Sequence, residues 1–406
     1  MMKWIIIIVA FIGGLYSFVL DVVKHRSANN PTPESVYDVY DAETYAKWKK
    51  YSAEHSRLAL ISSAVTTLIS ILLFVTNAYS AFASLFSSGF FWQLCAVIIF
   101  EIAIGTVVGI VRDYISTMVI EEKYGFNRSS MKTFIFDMIR SLLLGLLLSI
   151  GLSWLMGVLH MKMGAWLIVL FAGVMFAFTM LVTFLYPIFS RIGNKFTPLE
   201  EGELKDRLME LLTKHGYQVK AIEVMDASRR TTKLNAYFTG FGKMKTIVLF
   251  DNLVNAMTPD EICAVFAHEL GHGLNKDVLK QQIMNIGNLF LMALTVWVAV
   301  SIPSIYQEFG FSEINYGFAY IVVGALLNLV QPFSSMLRNA YSRKAEYRAD
   351  TQAVKEGYGE ALVTALKKLA KDNFAHLSPS KINVVLEYSH PPLAERIEAI
   401  ERQLSK

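Results

Sequence analysis

Seven times between residues 4 and 337 the sequence runs for about twenty residues with few or no charges. These stretches lie at about 4–20, 58–82, 90–110, 141–160, 163–186, 283–305 and 318–337. A helix rises about 1.5 Å per residue, so roughly 20 apolar residues cross the ~30 Å hydrocarbon core of a bilayer. Helices apolar on every side need lipid as their solvent. Composition agrees: charged residues make up 18% of the chain and hydrophobic residues 54%, with mean hydropathy +0.40. Soluble domains carry nearer a quarter charged residues. The expected fold is predominantly α, a multi-pass membrane protein with seven transmembrane helices.

The first stretch follows Lys3 as a secretory leader would, but no A-x-A-like cleavage site precedes Asp21 and Lys24, so a retained helix is expected. Loops 21–57 and 111–140, segment 187–282 and the tail after 337 are rich in Lys and Arg, whereas loops 83–89 and 306–317 have none and 161–162 has Lys162 alone. Rich and poor loops alternate. By the positive-inside rule the N-terminus lies outside, with the C-terminus and long segments on the cytoplasmic side. The net charge of +4 fits such loops, and no basic patch with interleaved aromatics points to nucleic acid. Two cysteines, Cys95 and Cys263, provide no disulfide framework.

Four segments follow: a five-helix membrane domain at 1–187, a cytoplasmic-side segment at 188–282, helices six and seven at 283–338, and a second cytoplasmic-side segment at 339–406. Within 188–282 the pattern predicts an amphipathic helix at 200–214 and a strand at 218–226. It also predicts a small hairpin, with NAYFTGF (235–241) turning at Gly242-Lys243 into TIVLF (246–250).

Chemistry concentrates in HELGH, residues 268–272. Thr258, Pro259 and Glu261 form an N-cap, a first-turn proline and a capping box, so a helix begins there. His268 and His272, four residues apart, share one face and can reach one tetrahedral ion. Glu269 is angled away from ligation and suits a proton acceptor for water. A catalytic zinc needs a third ligand and an open position. NAYSRKAEYRAD (339–350) offers Glu346, with Asp350 one turn on, able to accept the free N–H of a ligating histidine. Spacing alone equally allows Glu346 and Asp350 to be a solvated acidic face beside Arg343 and Arg348.

HELGH followed by N-x-x-S-R-x-x-E-x-x-A-D resembles the integral-membrane metallopeptidases of the CAAX prenyl protease 1 family. Further likeness lies in EEKYGFNRSSMKTFIFD (121–137), NAYFTGFGKMKTIVLFDNL (235–253) and SHPPLAERI (389–397), so the resemblance covers nearly the whole chain. It implies a gluzincin-like domain with one Zn2+ on His268, His272 and Glu346, and Glu269 as general base. It places Asp350, Asn339 and Arg343 behind the ligands, His390 as a candidate to stabilise the oxyanion, and Asn235, Ala236, Tyr237 and Arg396 at the substrate. It also implies peptide substrates, prenylated at a C-terminal CAAX cysteine or drawn from membrane quality control, and an intramembrane chamber. No oligomer is required.

Glu101 in the third span would suit a polar interior or an interhelical hydrogen bond. Gly105 and Gly109 suggest close helix packing. Three other readings compete. HtpX-like quality-control proteases share the zinc motif but are shorter. A site-2-type intramembrane protease would embed HELGH, which charged residues bracket here. A non-enzymatic assembly factor with a structural metal would need a fourth ligand, and none sits at ligand spacing. The C-terminal QLSK carries no dilysine or KDEL-like signal, which favours a bacterial plasma membrane over the endoplasmic reticulum.

Overall fold

The structure, a computed structural model, describes residues 1–86, 89–239 and 246–406. The chain enters through α1 (Met2–Ser27), α2 (Ala42–Val75), α3 (Phe90–Tyr114), α4 (Met131–Met163) and α5 (Leu167–Phe189). Strand β1 (Phe196–Pro198), helix α6 (Glu203–Lys214), and strands β2 (Ala221–Met225), β3 (Ala236–Thr239) and β4 (Thr246–Phe250) follow. Then come α7 (Pro259–Leu274), α8 (Asp277–Val300), α9 (Tyr316–Lys355), α10 (Gly359–Asp372), α11 (Lys381–Leu386) and α12 (Leu393–Leu404).

Among the described residues six helical stretches are long and apolar enough to span a bilayer. One of them, Met131–Tyr186, is broken at Gly164, where φ is 54°, and so holds both α4 and α5. Each of the seven apolar stretches thus has its own helix. Their outer faces stay apolar and uncovered, with Leu68, Val107 and Leu147 about two-thirds exposed, a surface that only lipid solvates well.

The helix ends sort into two groups. Lys3 Nζ donates to Asn77 Oδ1 at 2.7 Å and Ser80 Oγ donates to the Phe309 carbonyl at 2.6 Å, which gathers the start of α1 with the α2–α3 and α8–α9 connections. At the opposite end, Asn30 beyond α1 donates to the Ser378 carbonyl at 3.0 Å. Connections poor in Lys and Arg therefore meet at one end of the bundle and the Lys- and Arg-rich segments at the other.

A cavity of about 750 Å3 lies among α1, α2, α3, α4 and α9, lined by Gly13, Ser63, Thr67, Glu101, Ser153 and Asn328. Glu101 both lines it and accepts Tyr79 Oη–H at 2.6 Å, so its two expected roles coincide. Gly105 and Gly109 do not mark a close crossing. A Cβ at either would meet nothing within 4 Å, because that face of α3 is open.

The charged end carries the mixed sheet, in order β1-β2-β4-β3, with β2 and β4 parallel and both outer pairs antiparallel. The helix expected at 200–214, the strand within 218–226 and the two hairpin strands are all present, while the Gly242-Lys243 turn lies outside the described residues. Leu208, Leu212, Ile247, Leu249, Phe266, Leu270 and Ile400 build one core from α6, the sheet, α7 and α12. EEKYGFNRSS ties this unit to the membrane helices: Arg128 N donates to the Arg230 carbonyl, Lys233 pairs with Glu121 at 3.1 Å, and Arg230 pairs with Asp137 at 2.8 Å. That bracing fixes the approach to β3.

Candidate metal centre

Helix α7 starts as its sequence prescribes. Thr258 accepts from Glu261 N, the Glu261 side chain accepts from Thr258 N at 2.8 Å, and Pro259 occupies the first turn. Residues 261–268 are all buried, as are Leu270 and Gly271. Gly271 sets how close α7 comes to α9: a Cβ there would stand 2.9 Å from Ala349 Cα and 2.9 Å from Gln352 Cβ. With only hydrogen at this crossing, the two helices bring their polar residues within bonding reach.

At that crossing His268, His272 and Glu346 converge. His268 Nε2 is 3.5 Å from Glu346 Oε2, and His272 Nε2 is 3.3 Å from Glu346 Oε1. Both Nδ1 atoms are occupied: His268 Nδ1 meets Asp350 Oδ1 at 2.8 Å and His272 Nδ1 meets Asp277 Oδ2 at 3.1 Å. Carboxylates at Nδ1 hold the Nδ1–H tautomer, leaving each Nε2 lone pair aimed at the centre.

Three observations fit this set to a metal ion. One candidate ligand atom from each residue lies within 4.8 Å of the others; ligand bonds of about 2.0–2.1 Å at tetrahedral angles separate donors by roughly 3.4 Å. Glu346 Oε2 is buried with no hydrogen-bond partner among the described residues, its contacts being the longer approaches of His268 Nε2 at 3.5 Å and Arg396 Nη1 at 3.4 Å, so it keeps acceptor capacity for a cation. With neutral imidazoles, the carboxylates Glu269, Asp277, Glu346 and Asp350 face only two guanidiniums, Arg348 and Arg396. A divalent cation would balance the two excess charges. His272 shows the same demand for positive charge: burial opposes its protonation, yet Glu346 and Asp277 outweigh burial and lift its pKa to about 9. The alternative reading of Glu346 and Asp350 as a solvated acidic face fails, since they are only 4% and 1% exposed.

Glu269 is half-buried in the same cluster. Burial pushes its carboxyl above the usual range, while His268 and His272 pull it back. His390 lies on the open side, 64% exposed, with Nε2 3.4 Å from Glu346 Oε1.

Other expected site residues come from neighbouring elements. Arg396, implied at the substrate, commits Nε and Nη2 to Asp350 at 2.9 and 2.6 Å and turns Nη1 towards Glu346 at 3.4 Å. Asn339 and Arg343, implied behind the ligands, instead donate to the carbonyls of Leu386, Val384 and Tyr388. The end of α11 leaves carbonyls unpaired, and these two donors satisfy them. They thereby brace the segment that leads to His390. Asn235 is exposed at the head of β3, which has β4 on one side and no strand on the other among the described residues. Ala236 and Tyr237 belong to this edge strand, with the Tyr237 ring edge-on to Tyr186 and Phe250.

Asp277, Tyr341 and Arg348 were not legible as a functional group. Asp277 is 2% exposed, and its Oδ1 accepts from Tyr341 Oη and Arg348 Nη2, both at 2.8 Å. Its one sequence signal is being the first carboxylate after His272.

Comparison with known proteins agrees with this geometry. A family model described as peptidase family M48 matches residues 198–404, and one described as CAAX prenyl protease N-terminal, five membrane helices, matches residues 22–191. The CAAX prenyl protease 1 homolog of Oryza sativa subsp. japonica is 30% identical, covering 97% of this chain and 95% of its own. CAAX prenyl protease 1 of Saccharomyces cerevisiae is 33% identical, covering 74% and 70%. The crystal structure of S. mikatae Ste24p matches with a TM-score of 0.90 and 28% identity, covering 99% of each chain. A converging His–His–Glu set on a multi-pass helical frame, together with these matches over both halves, means that the chain belongs to peptidase family M48, and within it to the CAAX prenyl protease 1 family of integral-membrane metallopeptidases.

Proposed function

We propose that the chain is a zinc endopeptidase that hydrolyses C-terminal CAAX peptides prenylated on cysteine. The metal is held by His268, His272 and Glu346. The single observation that carries this reading is the pair of histidines whose Nδ1 atoms are tied to Asp350 and Asp277 while both Nε2 atoms face Glu346. Bound there, zinc supplies electrophilic polarisation of a carbonyl and a more acidic water.

The chain's own residues do the rest. Glu269 takes a proton from water as the new C–O bond forms, and delivers it to the amine nitrogen as the C–N bond breaks. His390, on the open side, is the donor suited to the oxyanion. Arg396 acts through Asp350 and Glu346, so we assign it to ligand positioning. The substrate lies extended along β3 from Asn235 to Tyr237, where the free edge offers backbone hydrogen bonds.

The positive-inside pattern supports a cytoplasmic-side site with the Lys- and Arg-poor loops outside. The same pattern supports the division into 1–187, 188–282, 283–338 and 339–406, and the membrane proposed is a bacterial plasma membrane. The deciding experiment compares cleavage of matched prenylated and unprenylated CAAX peptides by purified, zinc-loaded protein. Faster cleavage of the prenylated peptide supports the assignment. Equal rates would remove prenyl specificity and favour a quality-control peptidase.

A further inference from the structure

Next to the metal centre lies a second, smaller cavity of about 320 Å3. Gln281, Gln282 and Asn285 of α8, Arg338 and Ser342 of α9, and Ser389 line it. Each wall leads away from the site already described. Ser342 is one turn before Glu346, Gln281 is one turn after Asp277, and Ser389 adjoins His390. At about 1.5 Å per residue, Arg338 stands roughly 12 Å from Glu346 along α9.

Among the described residues Arg338 is the one charged side chain in the lining, and no carboxylate joins it. Its hydrogen bond among the described residues is from Nη2 to Ser335 Oγ at 3.1 Å, and no ion pair forms there. A guanidinium in a recess at the membrane boundary gains much from an anion, above all from a carboxylate its planar fork can bind twice. Gln282 adds a complementary demand. Its Oε1 is buried without a hydrogen-bond partner among the described residues, so it lacks a donor. The last residue of a peptide carries both complements, a carboxylate and the N–H of its own amide. A phosphodiester without an N–H or O–H donor would suit Arg338 but leave Gln282 Oε1 unsatisfied.

Reach agrees with this occupant. Three extended residues beyond a cleaved bond span about 10 Å, which ends within reach of the Arg338 side chain. We propose that this cavity binds the C-terminal carboxylate of the substrate through Arg338, with Gln282 accepting the terminal N–H, and so measures cleavage from the free end. This inference rests on the CAAX-peptidase reading and deepens it.

The test is binding to zinc-loaded, full-length Glu269→Gln protein, which separates it from turnover. A prenylated CAAX peptide is prepared as the free acid and as the C-terminal amide, and Kd is measured for both. The acid is expected to bind about tenfold tighter, equal to about 1.4 kcal/mol. Adding Arg338→Gln should erase the acid-to-amide ratio, and Arg338→Lys should restore part of it. The ratio is the readout, so a partly unfolded variant still reports. Peptides lengthened by two residues should lose the preference. Equal Kd values for acid and amide, or a preference that survives Arg338→Gln, would overturn the subsite; neither result bears on whether the wild-type protein cleaves CAAX peptides.

Discussion

Asp277 Oδ2 stands 3.1 Å from His272 Nδ1, and the backbone gets it there through a left-handed residue, Lys276, with φ 53°. Without that reversal α7 would run on past the site, and no carboxylate would fold back onto the second histidine. Tyr341 and Arg348 then fix the other oxygen of Asp277. Each histidine of the candidate centre thus has its own buried aspartate, Asp350 for His268 and Asp277 for His272.

From this pairing, Asp277→Ala should weaken zinc about 10–100-fold, the usual cost of losing such a partner. Chelator competition at fixed pH measures it. Asp277→Asn should lose less, since an amide oxygen still accepts from Nδ1–H. Zinc affinity equal to wild type in both variants would show that the contact is only structural.

Glu269 is the proposed general base, outside the candidate His268–His272–Glu346 ligand set. Glu269→Gln should therefore retain stoichiometric zinc by metal analysis while kcat falls about 10²–10⁴-fold. Undiminished turnover in the metal-replete variant would reject the general-base role.

Gly271 allows α7 to press against α9. Gly271→Ala puts a methyl 2.9 Å from Ala349 Cα, which is backbone and cannot rotate away. Overpacking of this kind costs about 1–3 kcal/mol. The melting temperature of the detergent-solubilised protein should drop, and zinc affinity should drop with it because His268 and Glu346 move apart. Gly105→Ala, on an open face, serves as the control and should change neither.

His376 carries a pH signature outside the membrane. Burial, helped by Lys24, lowers its pKa from 6.5 to about 4, and its Nε2 lies 2.9 Å from Ser27 Oγ. An unfolded chain protonates this ring near pH 6.5, whereas the folded one resists until about 4. Stability from the neutral ring is intact above pH 6.5 and declines as pH falls towards 4. His376→Gln keeps a donor to Ser27 and removes the titration. Its melting temperature should fall less than that of wild type across this window, and parallel curves would refute the assignment.

The candidate metal site was legible where local spacing decides it. His268 and His272 share a face because a helix repeats every 3.6 residues, and the capping box at Thr258 announces that helix. Glu346 and Asp350 carry a similar one-turn spacing, but nothing local says which distant helix they meet. Asn339 and Arg343 sit in the same motif and went elsewhere, since the open carbonyls that attract them belong to α11, more than forty residues downstream. Asp277 escaped notice because a left-handed turn at a lysine leaves no mark in composition.

By itself the sequence determined the seven apolar helices and the helix face that carries both histidines, because hydrophobic length and helical period act over one segment at a time. The tertiary structure decided which carboxylates gather at the two histidines and which of them serves each ring. Those outcomes depend on how closely two helices approach, on a hydrogen atom at Gly271 and on partners that the chain supplies from dozens of residues away.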